Sequence, residues 1–138
     1  MARRLHRAPV GSQRGQAIVE FALVLPILMA LMLGIIEFGI VFNNYITLTD
    51  ATRAGARKAA VSRFLNDNGA SAKQAVLDSA ANLDQSKLAP TISVTASPDW
   101  NSPGGTVTVT AKYPYSLNIL GWVVASGNLN STTHERLE

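Results

Sequence analysis

Two carboxylates, Glu20 and Glu37, are the only charges between Ala17 and Phe42. A charge near the centre of a bilayer costs about 2.5–3.5 kcal/mol on insertion scales, so each needs a positive neighbour or a place at the boundary. Other chemistry is scarce. The chain has no cysteine, which excludes disulfides, Cys-ligated zinc, iron–sulfur clusters and thiol nucleophiles. His6 and His134 lie near opposite ends, which argues against a His-rich metal site or a Ser-His-Asp triad. GQAIVE and SPGGTV lack the lysine and serine spacing of a phosphate loop, and no acid pair stands in a catalytic frame. The reading is therefore a non-enzyme with no cofactor, no metal and no small-molecule substrate.

The stretch that holds the carboxylates, AIVEFALVLPILMALMLGIIEFGIVF, has 26 residues and no Lys or Arg. As a helix it reaches about 39 Å, against a hydrocarbon core of about 30 Å. A buried helix of a soluble domain would keep a polar face; this one is apolar all round, which predicts a membrane span. A cleaved signal peptide fits less well, because the run is too long, ends without a small-x-small site and carries Glu37 in its tail. Glu20 falls near the cytoplasmic boundary, and Glu37 follows about 26 Å further along the axis. Either both snorkel at the two boundaries, or Glu20 meets a positive group on a neighbouring subunit. Pro26 cannot donate to the carbonyl of Ala22, a place for a bend. Ala30 and Gly34 form a small-xxx-small pair suited to close helix approach.

Of the 138 residues, 47% are hydrophobic and only 15% charged, enough for one small domain with an appended helix. The formal charge of +3 is unevenly placed. Residues 1–15 hold Arg3, Arg4, Arg7 and Arg14 and no acid, while residues 53–138 mix eight basic with six acidic side chains. An arginine-rich head before an apolar run marks membrane targeting rather than a nucleic-acid arm. With four arginines and no acid in the head, the other 123 residues carry a net charge of −1.

Beyond the apolar run, Asn43, Asn44 and Tyr45 suit a membrane–water interface. One helix is predicted from Gln16 to Leu65, ended by Asn66, Asp67, Asn68 and Gly69. A second starts at Ser71, with Gln74 completing a capping box, and Ala72, Ala75, Val76, Ser79, Ala80 and Leu83 on one face. TISVTA (91–96) and TVTVTA (106–111) alternate as strands joined by SPDWNSPGG, and Pro114 is expected to stop the second. The loop Trp100 is expected to fold back on its own hairpin. LNILGWVVA (117–125) is too short to span; it should cover the sheet or lie near lipid, with Trp122 in a core or interface. Ser131 to Leu137 is expected to supply a third strand. The predicted architecture is α+β and membrane-anchored: a leader (1–15), a transmembrane helix (16–42), a helical region outside (43–90) and a small antiparallel β region (91–138).

The segment RGQAIVEFALVLP, with Gly15, four residues, Glu20 and Phe21, resembles the processing site of type IV prepilins of the Tad/Flp class. More of the chain resembles one subfamily, the TadE-like pseudopilins. GQAIVEFALVLPILMALMLGIIEFG resembles their anchor, and TDATRAGARKAAV (49–61) their juxtamembrane helix, with Thr52 in place of an expected alanine. PGGTVTVTAKYPYSL and the closing RLE resemble the family more weakly, and Gln16 departs from the Phe usual in classical type IV pilins. The resemblance implies cleavage between Gly15 and Gln16 by a membrane prepilin peptidase, with Glu20 recognised by a neighbour's new amine. It also implies an inner-membrane protein with a cytoplasmic N-terminus, whose partners are that peptidase, other pilin or pseudopilin subunits and Tad assembly proteins. Positive residues do not orient the span by themselves, since Arg53, Arg57, Lys58 and Arg63 balance the head. The alternative is an uncleaved single-pass anchor displaying a small binding domain.

Overall fold

The computed structural model describes residues 12–62, 67–100, 102 and 104–138. The leader arginines Arg3, Arg4 and Arg7, His6, Arg63 and the expected helix end at Leu65 and Asn66 lie outside the described residues. Helix α1 (Ser12–Val61) is 50 residues long, about 75 Å, and passes through Pro26 without ending. It stops at Val61, short of the position expected. The reason is local: the Ser62 N–H and hydroxyl both turn back to the carbonyl of Ala59, at 3.2 and 3.3 Å. The next orphan carbonyl, that of Ala60, accepts the N–H of Glu138.

Helix α2 (Ala70–Ser79) begins one residue before Ser71, after Gly69 in the left-handed region at φ 83°. Here the expected capping box does not form. The Asp67 carboxylate accepts the N–H groups of Gly69 and Ser71 at 3.0 and 2.9 Å, while Gln74 reaches forward to Asp78. An acid three residues before the helix therefore displaces the Ser–Gln pair, since its two oxygens serve two donors at once. Ala72 and Val76 are buried as predicted, Ala80 and Leu83 carry the apolar face past the helix end, and Ser79 is exposed.

A short α3 (Gln85–Leu88) and a 3-10 turn (Ala89–Thr91) lead into the sheet. Its strands β1 (Ser93–Ser97), β2 (Thr106–Ile119) and β3 (Trp122–Arg136) lie in that order, all antiparallel. Val94 sits opposite Val109 and Ala96 opposite Val107, so the alternation read from the sequence is the pairing found.

Pro114 does not stop β2, which runs on to Ile119. The Lys112 N–H points to the β1 side, where it meets the Thr91 hydroxyl at 3.1 Å. Pro114, two residues on, faces the same side, and β1 pairs no further along β2 than Thr110. The missing N–H therefore breaks no ladder bond. β3 also exceeds expectation, starting at Trp122 rather than Ser131. The segment 117–125 is neither cover nor core but the turn of this long hairpin. Trp122 is 81% exposed, so the core alternative for it is wrong.

The inner face of the sheet packs on α1. Leu48, Ala51, Ala56, Val76, Leu88 and Val109 are central to the larger buried cluster. A smaller one joins Ala59, Ala60 and Ala72 to Val107 and Leu137, with Trp100 packed inward over it. Gly55 lets α2 approach: a Cβ there would run into Val76 and stand 3.1 Å from the carbonyl oxygen of Ala72.

Candidate functional site

The residues singled out in the sequence fall on α1 in two groups. The first is its opening turns. Gly15 is helical, exposed, and a Cβ at this position would have no neighbour within 4 Å. Packing therefore does not explain the glycine, in contrast to Gly55. Gln16 donates its amide to Glu20 at 3.0 Å, one helical turn on, and Glu20 and Phe21 are both exposed. In an apolar surrounding this leaves the carboxylate one neutral partner from its own chain.

The second group forms a stripe. Ala30, Leu33, Gly34, Glu37, Val41 and Asn44 are half-buried, while the rest of the span is exposed. Their spacing of three and four marks one helix face, and this face meets the long hairpin. Two fixed points define the contact. Thr52 Oγ1 lies 2.8 Å from Ser131 Oγ and 3.2 Å from Thr133 Oγ1, and also donates to the carbonyl of Thr49. Lower down, a Cβ at Gly34 would sit 3.7 Å from Ile119 Cδ1, an ordinary contact.

The two spacings agree. From Thr52 to Gly34 the helix descends about 27 Å. From Ala111, opposite Ser131, to Ile119 the strand descends about 26 Å. Helix and hairpin therefore run side by side, and Glu37 lies on the helix face that the hairpin covers. Sequence reasoning placed Glu37 at a boundary but missed this contact. The signal was Gly121, with Leu120 before it: both have positive φ, 86° and 52°, which suits a two-residue turn between antiparallel strands. Leucine in place of the usual Asn or Gly concealed it.

Among the described residues, no group of three or more His, Asp or Glu side chains is placed to hold a metal ion. The described helix is long and apolar enough to cross a membrane, with none of the apolar window buried in the protein. It carries a small α+β head.

That combination is membrane-anchor-like, and comparison with known families narrows it. Residues 15–57 match the family of TadE-like proteins, associated with the Tad pilus system. Over this part the chain is similar to TadE-like proteins; the match takes in Gly15, Glu20, Pro26, Glu37 and Gly55, and leaves the sheet outside. No curated protein matches the chain, and no solved structure does.

Proposed function

We propose that this chain is a minor pilin or pseudopilin of a Tad-type (Flp, type IVb) pilus assembly and secretion system, acting in pilus biogenesis and adherence. A prepilin peptidase cuts between Gly15 and Gln16. The rest of α1 stays in the inner membrane, its start on the cytoplasmic side and the sheet outside.

The observation that carries this reading is Gly15 itself. It stands exposed and unpacked in the opening turns of a helix, five residues before an exposed Glu20. Glycine weakens a helix by about 0.5–1 kcal/mol relative to alanine, so these turns open readily into the extended form a protease needs. Without a side chain, the strand also enters a cleft closely.

Cleavage would create an amine on Gln16. In the single chain Glu20 is served by the Gln16 amide. A neighbouring subunit's terminal amine would replace that neutral donor with a charged one, adding the attraction of an ion pair in a surrounding of low dielectric. The exchange gives assembly an axial register, with Glu20 as the group read. Phe21 and the faces of α1 away from the hairpin stay free for neighbouring pilin helices and Tad assembly proteins.

N-terminal sequencing of the protein from cells with and without the peptidase tests this. The expected mature chain starts at Gln16. An intact Met1–Gly15 head in the presence of the peptidase would favour an uncleaved single-pass anchor displaying a small binding domain. With cleavage established, Glu20→Gln should be processed and anchored yet fail to assemble; normal assembly would remove the role given to Glu20.

A further inference from the structure

We infer that the turn of the long hairpin, Ile119–Val124, is seated among the acyl chains of the leaflet on the sheet side, a second membrane contact beside the anchor. The inference rests on α1 spanning the membrane.

Height is the first argument. Ile119 lies against Gly34, well inside the apolar run of α1. That run exceeds a hydrocarbon core of about 30 Å by about 9 Å, so the boundary on this side falls between Glu37 and Phe42. Gly34 lies about 5–12 Å below it. Whatever surrounds the anchor at Gly34 also surrounds the turn.

Composition is the second. From Tyr113 to Thr133 the hairpin has no charged residue. On helix and strand rise Tyr115 stands level with Asn43, Asn44 and Tyr45, the amide and tyrosine belt suited to an interface. Below it Ser116, Asn118 and Ser126 are the last polar side chains, and the turn Ile119–Val124 is apolar on both faces. Leu120 is 66% exposed and Trp122 81% exposed in the isolated chain, and with Ile119 and Val124 they line an open apolar hollow.

Backbone geometry is the third. Leu120 holds φ 52°, a left-handed position that costs a branched side chain about 1–2 kcal/mol and normally goes to Asn or Gly. An exposed leucine there is unfavourable in water and favourable in lipid. Just above the turn the register shifts, so that Leu117 faces Ala125, Asn118 faces Val123, and Val124 is the extra residue of a bulge. Unpaired amides on the outer strand edges keep this a dip rather than a crossing.

The test uses the full chain with Trp100→Phe, which leaves Trp122 as its only tryptophan, in phosphatidylethanolamine–phosphatidylglycerol vesicles. A second protein, with Trp100→Phe, Trp122→Phe and Leu28→Trp, reports on the anchor. Lipid brominated along the acyl chains should quench both, and Trp122 emission should be blue-shifted and lose little intensity to acrylamide. Quenching by bromolipid at Leu28→Trp alone, with Trp122 open to acrylamide, overturns the seated turn and leaves the span standing. Trp122 shielded from both quenchers also overturns it, and points to contact with a second copy. Loss of bromolipid quenching at both positions overturns the inference through the span itself.

Discussion

Thr52 Oγ1 and Ser131 Oγ stand 2.8 Å apart across 79 residues of sequence, and both side chains are buried. With Thr133 they make a cluster of three hydroxyls where α1 meets β3, about 15 Å beyond the end of its apolar stretch. Each hydroxyl can donate and accept, so the cluster satisfies itself without a charge. It fixes rotation as well as height: a helix turned by one residue would aim Ala51 or Arg53 at Ser131.

Thr52→Val keeps the shape and removes the central hydroxyl. It should destabilise the head by about 1–3 kcal/mol, since Ser131 is left buried and under-satisfied. Thermal unfolding of the detergent-solubilised protein checks this, and Thr52→Ser should recover most of the loss.

Gly15 and Gly55 should separate processing from packing. At Gly55 a Cβ meets Val76 and the Ala72 carbonyl, so Gly55→Ala should lower stability by about 1–3 kcal/mol and leave cleavage unaltered. At Gly15 a side chain has open space. Gly15→Val should melt like the parent and lose N-terminal processing, read by mass spectrometry.

Contact between hairpin and anchor has a covalent test, because the chain has no cysteine to interfere. Gly34→Cys combined with Ile119→Cys should give an intramolecular product with a short bifunctional maleimide, seen as a faster band on a denaturing gel. Gly34→Cys paired with Val107→Cys, at the far end of β2, should give none.

Acid should weaken the N-terminal cap of α3, which the Asp84 side chain supplies. The Ser86 hydroxyl donates to Asp84 at 2.6 Å, and with the Lys87 ammonium and the Ser86 N–H it holds this carboxyl below its ordinary value. A lowered folded value means the contribution is complete above the ordinary carboxylate range, near pH 4, and is lost as pH falls through the folded value. Melting temperature in Asp84→Asn should therefore fall less steeply below pH 4 than in the parent, with parallel profiles above pH 6.

The anchor was legible because 26 apolar residues need no tertiary context to be recognised. β1 and the first half of β2 were legible for a related reason: one face is buried and the other wet, so Val107 and Val109 alternate with Thr106, Thr108 and Thr110. Reading failed where a local rule had a non-local exception. Pro114 is tolerated only because β1 ends before it, and Leu120 takes a turn position that its own preference opposes. Gly15 and Glu20, to which processing and assembly are assigned by proposal, stand out in the sequence only as a spacing. The helix–hairpin contact was not, since nothing in LNILGWVVA says which partner lies alongside.

Because α1 and the hairpin descend together, two lengths in this chain are not independent. A strand gains about 3.3 Å per residue and a helix about 1.5 Å, so two residues added to each arm of the hairpin lower its tip by more than a full turn of the anchor. Hairpin loops usually tolerate such insertions. Here one would change where the tip lies relative to Gly34, so a chimera joining one protein's anchor to another's head must match the two as a pair of rulers with different graduations.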